Sequence, residues 1–394
     1  MEYRLGQICK FQSGGTPAKG NPEYFNGNIP WITTTALNGS EINDHDAVDW
    51  ITEKAINESA AKIVPANSIM VGTRVGVGKV AINKVPMSTS QDIISLLDIA
   101  EDKWDKDYLC KLIQANHAFL NSQARGATIK GIKIDVLAAL KVPEIPLEKQ
   151  RKVSDVINKT RGIIDQRRKE LESLDELIKA RFVELFGDPV HNPMRWPVKR
   201  LGDLSVQINS GNTPKGGEQV YVDKGITFFR SQNVWKDRLE MDDIAYIDEK
   251  THASMSRSSL KHGDILMTKT GRINTENSSL GRAALYMGED DAANVNGHVY
   301  FIRLKPGVNN KFILRILVSN EYRDHIRSVC VGGIDKRQLN KDHIEDFPII
   351  CPPEDMINEY IKVVEQIDKS KVAVQKALDE TQRLFDSLMQ EYFG

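Results

Sequence analysis

Asp92, Glu101 and Lys103 flank one apolar run in the order acid, then Glu-x-Lys. Many metal-dependent nucleases show that order: two carboxylates hold a cation and a lysine assists the attacking water. Solvated charges at the ends of a strand have the same composition. The matching place later in the chain has His298 and Lys305 and no carboxylate. The stretch from Gly72 to Val80 resembles a phosphate loop, but its spacing fails. The first glycine of that motif would fall on Thr73, and Val80 stands where a hydroxyl ligand for magnesium is needed. A glycine-rich turn beside a strand fits better. There is no H-E-x-x-H, no G-x-S-x-G, and no Asn/Asp-Pro-Pro-aromatic stretch for amino methylation. His45, His117 and His298 have no ligand spacing and suit surface or packing positions.

Polar and basic loops remain, and they occur at matching places in two halves. In the first half they are residues 13–16, 33–35, 73–74, 89–91 and 128–133. In the second they are 210–215, 230–233, 268–272, 294–298 and 332–337. Lys and Arg hold phosphates; Arg, Asn and Gln can pair with base edges in the major groove. The DNA-contact candidates in the first half are Thr16, Thr33, Thr34, Arg74, Gln91, Thr128, Lys130 and Lys133. In the second they are Lys215, Arg230, Gln232, Lys269, Arg272, Asn296, His298, Lys336 and Arg337. Taken singly, each loop reads as an ordinary polar turn; recurrence is what singles them out.

The elements that carry these loops are duplicated. Arg4-Leu5-Gly6 returns as Arg200-Leu201-Gly202, and Ser13-Gly14-Gly15-Thr16-Pro17 as Ser210-Gly211-Asn212-Thr213-Pro214. Gly78-Lys79-Val80-Ala81 returns as Gly281-Arg282-Ala283-Ala284, and Pro143 and Pro146 as Pro348 and Pro352. A period of about 200 residues marks a duplicated domain, not a solenoid. Short runs at 68–72, 79–82, 92–97, 225–230, 264–268 and 298–304 read as strands, and 108–123 and 310–327 as helices. Each half is therefore expected to hold an α+β domain with a twisted sheet.

A long helix follows each domain. Ile157, Ile164, Leu171, Ile178 and Leu185 recur every seven residues in the first, with Thr160, Arg167, Leu174 and Arg181 as companions. Ile357, Val364, Lys371, Leu378, Phe385 and Tyr392 form one series in the second, and Tyr360, Ile367, Val374, Thr381 and Leu388 form the other. Such a stripe is a coiled-coil seam. The expected order is domain 1–147, helix 148–186, proline-rich connector 187–199, domain 200–353, helix 354–394. Two equivalent helices after two equivalent domains can pair antiparallel about a pseudo-two-fold axis. Each would span roughly 58 Å and act as a spacer.

Net charge is −1, which counts mildly against DNA binding by this chain alone but not inside a complex. Cys9, Cys110, Cys330 and Cys351 lie far apart, as suits a reducing cytoplasm. No apolar run is long enough for a membrane span. In order and in duplicate, these motifs resemble the specificity subunit of a type I restriction-modification enzyme. That resemblance rests on Arg-Leu-Gly with Ser-Gly-x-Thr-Pro, the proline-flanked helix starts, and Leu185-Phe186-Gly187-Asp188-Pro189 ahead of Trp196-Pro197. It implies two target-recognition domains reading the halves of a split site in double-stranded DNA. It also implies two methyltransferase (modification) subunits, with restriction/translocase subunits able to join them. No cofactor is expected on this chain; S-adenosylmethionine, ATP and Mg would sit on the partners, and the chain would not be an enzyme. The two alternatives are a nuclease using Asp92, Glu101 and Lys103, and a coiled-coil interaction scaffold unrelated to DNA.

Overall fold

A computed structural model describes residues 2–39, 41–126, 130–275 and 277–394. By contacts the chain forms two compact units, Met1–Glu170 with Val374–Gly394, and Leu171–Ala373. Each long helix thus contributes residues to both units.

In the first unit, Glu2–Arg4 pairs antiparallel with Lys141–Pro143 and clasps the ends of the globular part. A five-stranded sheet runs in the order Lys10–Ser13, Ile93–Leu97, Ile69–Gly72, Val80–Asn83, Glu41–Ile42. A second sheet has the order Asp49–Ile51, Phe25–Ile32, Met87–Thr89, Ile63–Val64. The central strands of the first sheet are buried on both faces. One face meets Ile32, Leu37, Val64 and Met87; the other meets Tyr108, Leu109, Leu112, Val153 and Ile157. Burial on both faces explains why these strands read as unbroken apolar runs instead of alternating ones.

The second unit repeats this plan. Val198–Arg200 pairs with Pro348–Ile350. One sheet has the order Ser205–Ser210, Val299–Leu304, Ile265–Thr268, Ala283–Leu285; another has Tyr221–Val222, Ala245–Ile247, Ile226–Phe229, Ala293–Val295. A third, small sheet of Thr270–Arg272, Lys336–Gln338 and Val331–Gly332 is additional.

The long helices, Leu147–Phe186 and Glu354–Phe393, have 40 residues each. Gly187 stops the first at φ +73°, its N–H donating to the Val183 carbonyl at 2.9 Å. Within the first unit, Arg167 donates across the seam to the Ala377 carbonyl and the Thr381 hydroxyl, and the Arg161 guanidinium lies 6.0 Å from the Phe385 ring centre. Within the second, Lys371 pairs with Asp175, and the Tyr360 hydroxyl donates to the Ile178 carbonyl at 3.4 Å. The paired numbers run in opposite directions, so the helices are antiparallel in both units. Ile157, Ile164, Ile178, Val364 and Leu378 are buried; Leu171, Ile357, Phe385 and Leu388 are half-buried along the same stripe.

The structure corrects four expectations. Leu185 is only half-buried and Arg181 lies at the edge of the seam, bonded to Glu184 and Glu359. Phe182 and Phe186 take the burial there, in an aromatic cluster with Phe312 and Tyr360 at centroid separations between 5.1 and 5.7 Å. From Ile178 the stripe advances by fours, following the 3.6-residue turn against a globular core and not the 3.5-residue seam. Next, the helices expected at 108–123 and 310–327 are each two. Lys106–Ala115 and His117–Ser122 break at Asn116, while Asn310–Val318 and Asn320–Val329 break at Ser319, whose hydroxyl caps the second by accepting from the Tyr322 N–H. Third, each unit holds two main sheets in place of one. Fourth, the strand registers match Lys141 with Pro348 and Pro143 with Ile350, so Pro143 and Pro348 are not equivalent. Pro146 answers Pro353, not Pro352: both accept from the first turn of a long helix.

Two outcomes follow. Phe186→Ala should destabilise the second unit by about 3–5 kcal/mol and Leu185→Ala by much less, measured by urea unfolding of the full chain; equal losses would contradict the drift of the stripe. His325 stacks on Tyr322 and Phe347 at 5.3 and 5.8 Å, and burial lowers its pKa below the ordinary 6.5. The unfolded chain then binds the extra proton first, so stability is intact above pH 6.5 and falls as pH drops from there through the folded value. His325→Leu should flatten that part of a stability–pH curve.

Candidate nucleic-acid interface

Five backbone hydrogen bonds gather the polar loops of the first unit along one rim. Gly14 donates to Ile93, Gly15 to Thr89, Ser90 to Ile32, Thr73 to Asp92 and Ile132 to Thr73, at 2.8 to 3.0 Å. In the second unit Gly211 donates to Val299, Asn212 to Val295, Asn296 to Phe229, Lys269 to His298 and Leu339 to Lys269, at 2.8 to 3.1 Å. The two sets are the same bonds at equivalent residues. They tie the ends of the parallel pairs Phe25–Ile32 with Met87–Thr89 and Ile226–Phe229 with Ala293–Val295 to the neighbouring sheet.

The repeated Ser-Gly motif is the hinge of this arrangement. A Cβ on Gly14 would meet the Ser90 carbonyl at 2.3 Å, and one on Gly211 the Val295 carbonyl at 2.0 Å. No side chain fits where the backbones cross so closely, and hence glycine stands at both places. Trp31 adds a bond from its indole N–H to the Gly15 carbonyl at 3.1 Å.

The rim brings most of the candidate residues together. In the first unit Thr16 and Thr33 are half-exposed, and Arg74, Gln91, Lys130 and Lys133 are exposed. Arg74 and Lys133 line a hollow of about 450 Å³ with Arg125, Gln123 and Val136. Arg74 reaches Asp92 at 3.8 Å, which leaves most of its guanidinium free for another anion. Thr34 is buried with its methyl toward Gly72, an internal position. Thr128 lies outside the described residues. In the second unit Lys215, His298 and Lys336 are exposed, and Asn296 and Arg337 are half-exposed. Asn296 also accepts the His298 N–H at 2.8 Å, which fixes that turn. Lys269 stands 5.8 Å from the Tyr300 ring centre. Arg272 is exposed and pairs with Asp335 at 3.2 Å.

Arg230 and Gln232 are placed differently. The Arg230 side chain is mostly buried and bonded to the carbonyl and carboxylate of Asp243 at 2.6 and 3.0 Å. Gln232 donates to the same carboxylate at 3.0 Å. The Gln232 amide and the Arg230 guanidinium together hold the Asp243 carboxyl below the usual carboxylate range. Arg230 braces the turn after Ile226–Phe229 from within, and the exposed Gln232 braces it from the surface.

The nuclease arrangement is not assembled. Asp92 precedes Ile93–Leu97, whereas Glu101 and Lys103 follow its far end, roughly 16 Å away at strand rise. Glu101 pairs with Lys106, which holds its carboxyl below the usual range, and with Asn67 at 3.3 Å. Lys103 contacts the Tyr3 hydroxyl at 2.7 Å, and that bond raises its pKa. The Gly72–Val80 loop closes on itself, with Gly72 donating to Lys79, Gly78 to Gly72 and Lys79 to Gly76, so these three glycine and lysine amides are not free to cradle a phosphate. Among the described residues no group of three or more His, Cys, Asp or Glu is placed to hold a metal ion, and no helix is long and apolar enough to cross a membrane.

Sequence reasoning missed Arg125 and Ile334. Arg125 bridges to Gly131 and joins the hollow beside Arg74 and Lys133. Its charge, close to a flagged loop, was the available signal. Ile334 lies inside the flagged loop 332–337 and is passed over there for its apolar type.

A family model described as the type I restriction modification DNA specificity domain matches residues 1–173. The type I restriction enzyme MjaIX specificity subunit of Methanocaldococcus jannaschii is 25% identical and is matched over 98% of this chain and 90% of its own length. The EcoR124I/EcoR124II specificity subunit of Escherichia coli is 29% identical over 44% of this chain and 46% of its own. Two solved structures share the fold. The S subunit of a type I restriction-modification system from M. genitalium is 14% identical, with coverage of 100% of this chain and 96% of that one, and a TM-score of 0.59. A chain from a study of complex assembly and conformational transition in the type I R-M system is 16% identical, with coverage of 100% and 97% and a TM-score of 0.60. By these matches the first 173 residues carry the type I restriction modification DNA specificity domain signature, and the chain as a whole is similar to type I restriction enzyme specificity subunits.

Proposed function

We propose that this chain is the DNA-reading subunit of a type I restriction-modification complex, and that each rim reads one half of a split target in double-stranded DNA. The observation that carries this is the recurrence of five loop-gathering hydrogen bonds in two units whose loop side chains differ. Position is held constant while chemistry varies: Thr33 stands where the other unit has Arg230, Asp92 where it has His298, and Thr73 where it has Lys269. Two half-sites of unlike sequence are what such a pair would recognise. The chain's part is to read and to assemble, without catalysis. Its partners are two methyltransferase subunits, which would carry S-adenosylmethionine, and restriction/translocase subunits, which would use ATP and Mg. The compartment is the cytoplasm. The net charge of −1 fits a reader that gains positive surface from these partners.

Substitution tests the second rim. Lys269→Ala or Arg272→Ala in the assembled complex should weaken binding of the second half-site, lower the salt slope by about one, and leave first-half preference intact. Uniform loss across both halves would place these residues outside the interface.

The two long helices would set the gap between half-sites. A heptad inserted into each at matching seam positions adds about 10 Å. The unread gap should grow by about three base pairs, read from methylated adenines in DNA exposed to the complex. An unchanged gap in an active complex would show that the helices are not the ruler.

A further inference from the structure

Ile334 is the most exposed large apolar residue among those described, at 90%, ahead of Val372 at 71%. So exposed a side chain adds almost nothing to folding. Its setting is nevertheless rigid. Asp335, the next residue, accepts the Ile273 N–H at 3.1 Å and pairs with Arg272 at 3.2 Å. Gly333 donates to the Lys336 carbonyl at 3.2 Å and closes the tip. Gly332 has φ +136°, and a Cβ there would meet the Lys336 carbonyl at 2.8 Å, so the backbone turns as only glycine allows. The tip is thus pinned while Ile334 projects from it.

The ribbon bearing this tip, Val331–Gly332 with Lys336–Gln338, adds to Thr270–Arg272 and joins the reading rim where Leu339 donates to Lys269. Arg272, Lys336 and Arg337 surround it, and all three can hold phosphates. A two-stranded ribbon fits the major groove, roughly 12 Å wide, and not the minor groove at about 6 Å. In the major groove the apolar feature that distinguishes one base from another is the thymine C5-methyl group.

We propose that the ribbon 331–338 enters the major groove of the second half-site and that Ile334 is a specificity-determining residue, packing on a thymine methyl. This rests on the chain being a DNA reader. The adjoining basic residues position the ribbon, and Ile334 adds discrimination they cannot supply, because phosphates are alike at every sequence.

The test uses the full chain assembled with its modification subunits and fluorescent duplexes carrying a target selected from random sequence. Each thymine of the second half-site, on either strand, is replaced in turn by uracil, which removes only the methyl. At one position the replacement should weaken wild-type binding about fourfold, the worth of one buried methyl. Ile334→Ala should bind the unmodified target about tenfold more weakly and be indifferent to uracil at that position. Ile334→Met, still apolar, should restore most of the affinity. Wild-type indifference to every uracil, or an Ile334→Ala variant as sensitive as wild type, would overturn the proposal while leaving the reader function standing. Failure of the complex to select any duplex would overturn both.

Discussion

A crossing of two backbones, too close for any side chain, underlies the geometry of each unit. At Gly14 and Gly211 the chain leaves the first strand of one sheet and passes over the end of the parallel pair in the other. These bonds and their neighbours bring four further loops into line. A larger residue there would push the sheets apart and scatter the rim. What sequence alone suggests as a binding motif is therefore a structural device that makes binding loops converge. The loops themselves are free to vary because little of the core depends on their side chains.

The long helices are held by a mixture of burial and specific polar bonds. Aliphatic residues fill most of the stripe, but Arg167 reaches the Ala377 carbonyl and Thr381, and Lys371 meets Asp175. Polar groups in a seam contribute less to stability than apolar ones. Their established use is in fixing register, since a slipped alignment leaves a buried charge without a partner. Near Phe182 and Phe186 the stripe changes character, because the helix there packs into the core of a globular unit.

Much of this was legible in the sequence. The duplication, the long helices and the set of loops followed from repeats such as Arg4-Leu5-Gly6 with Arg200-Leu201-Gly202 and from the heptads. Buried strands such as Ile69–Gly72 were recognisable as unbroken apolar runs, though their starts were set one residue early. What escaped depends on contacts distant in sequence. Nothing local shows that Arg230 turns inward to Asp243, that Asp92 is a strand's length from Glu101, or that Asn116 and Ser319 break apparently continuous helices. Ile334 escaped for the opposite reason. It lies inside the flagged loop 332–337, but its apolar type kept it off the list of contact candidates, and the Gly332-Gly333 turn carries it into solvent.

The most direct test of two unlike readers on one chain is to let the assembled complex select duplexes from random sequence and to read the enriched site. Two short conserved blocks of different sequence, separated by unselected positions of fixed number, are the predicted result. A single contiguous block, two blocks related by perfect two-fold symmetry, or no enrichment at all would contradict it.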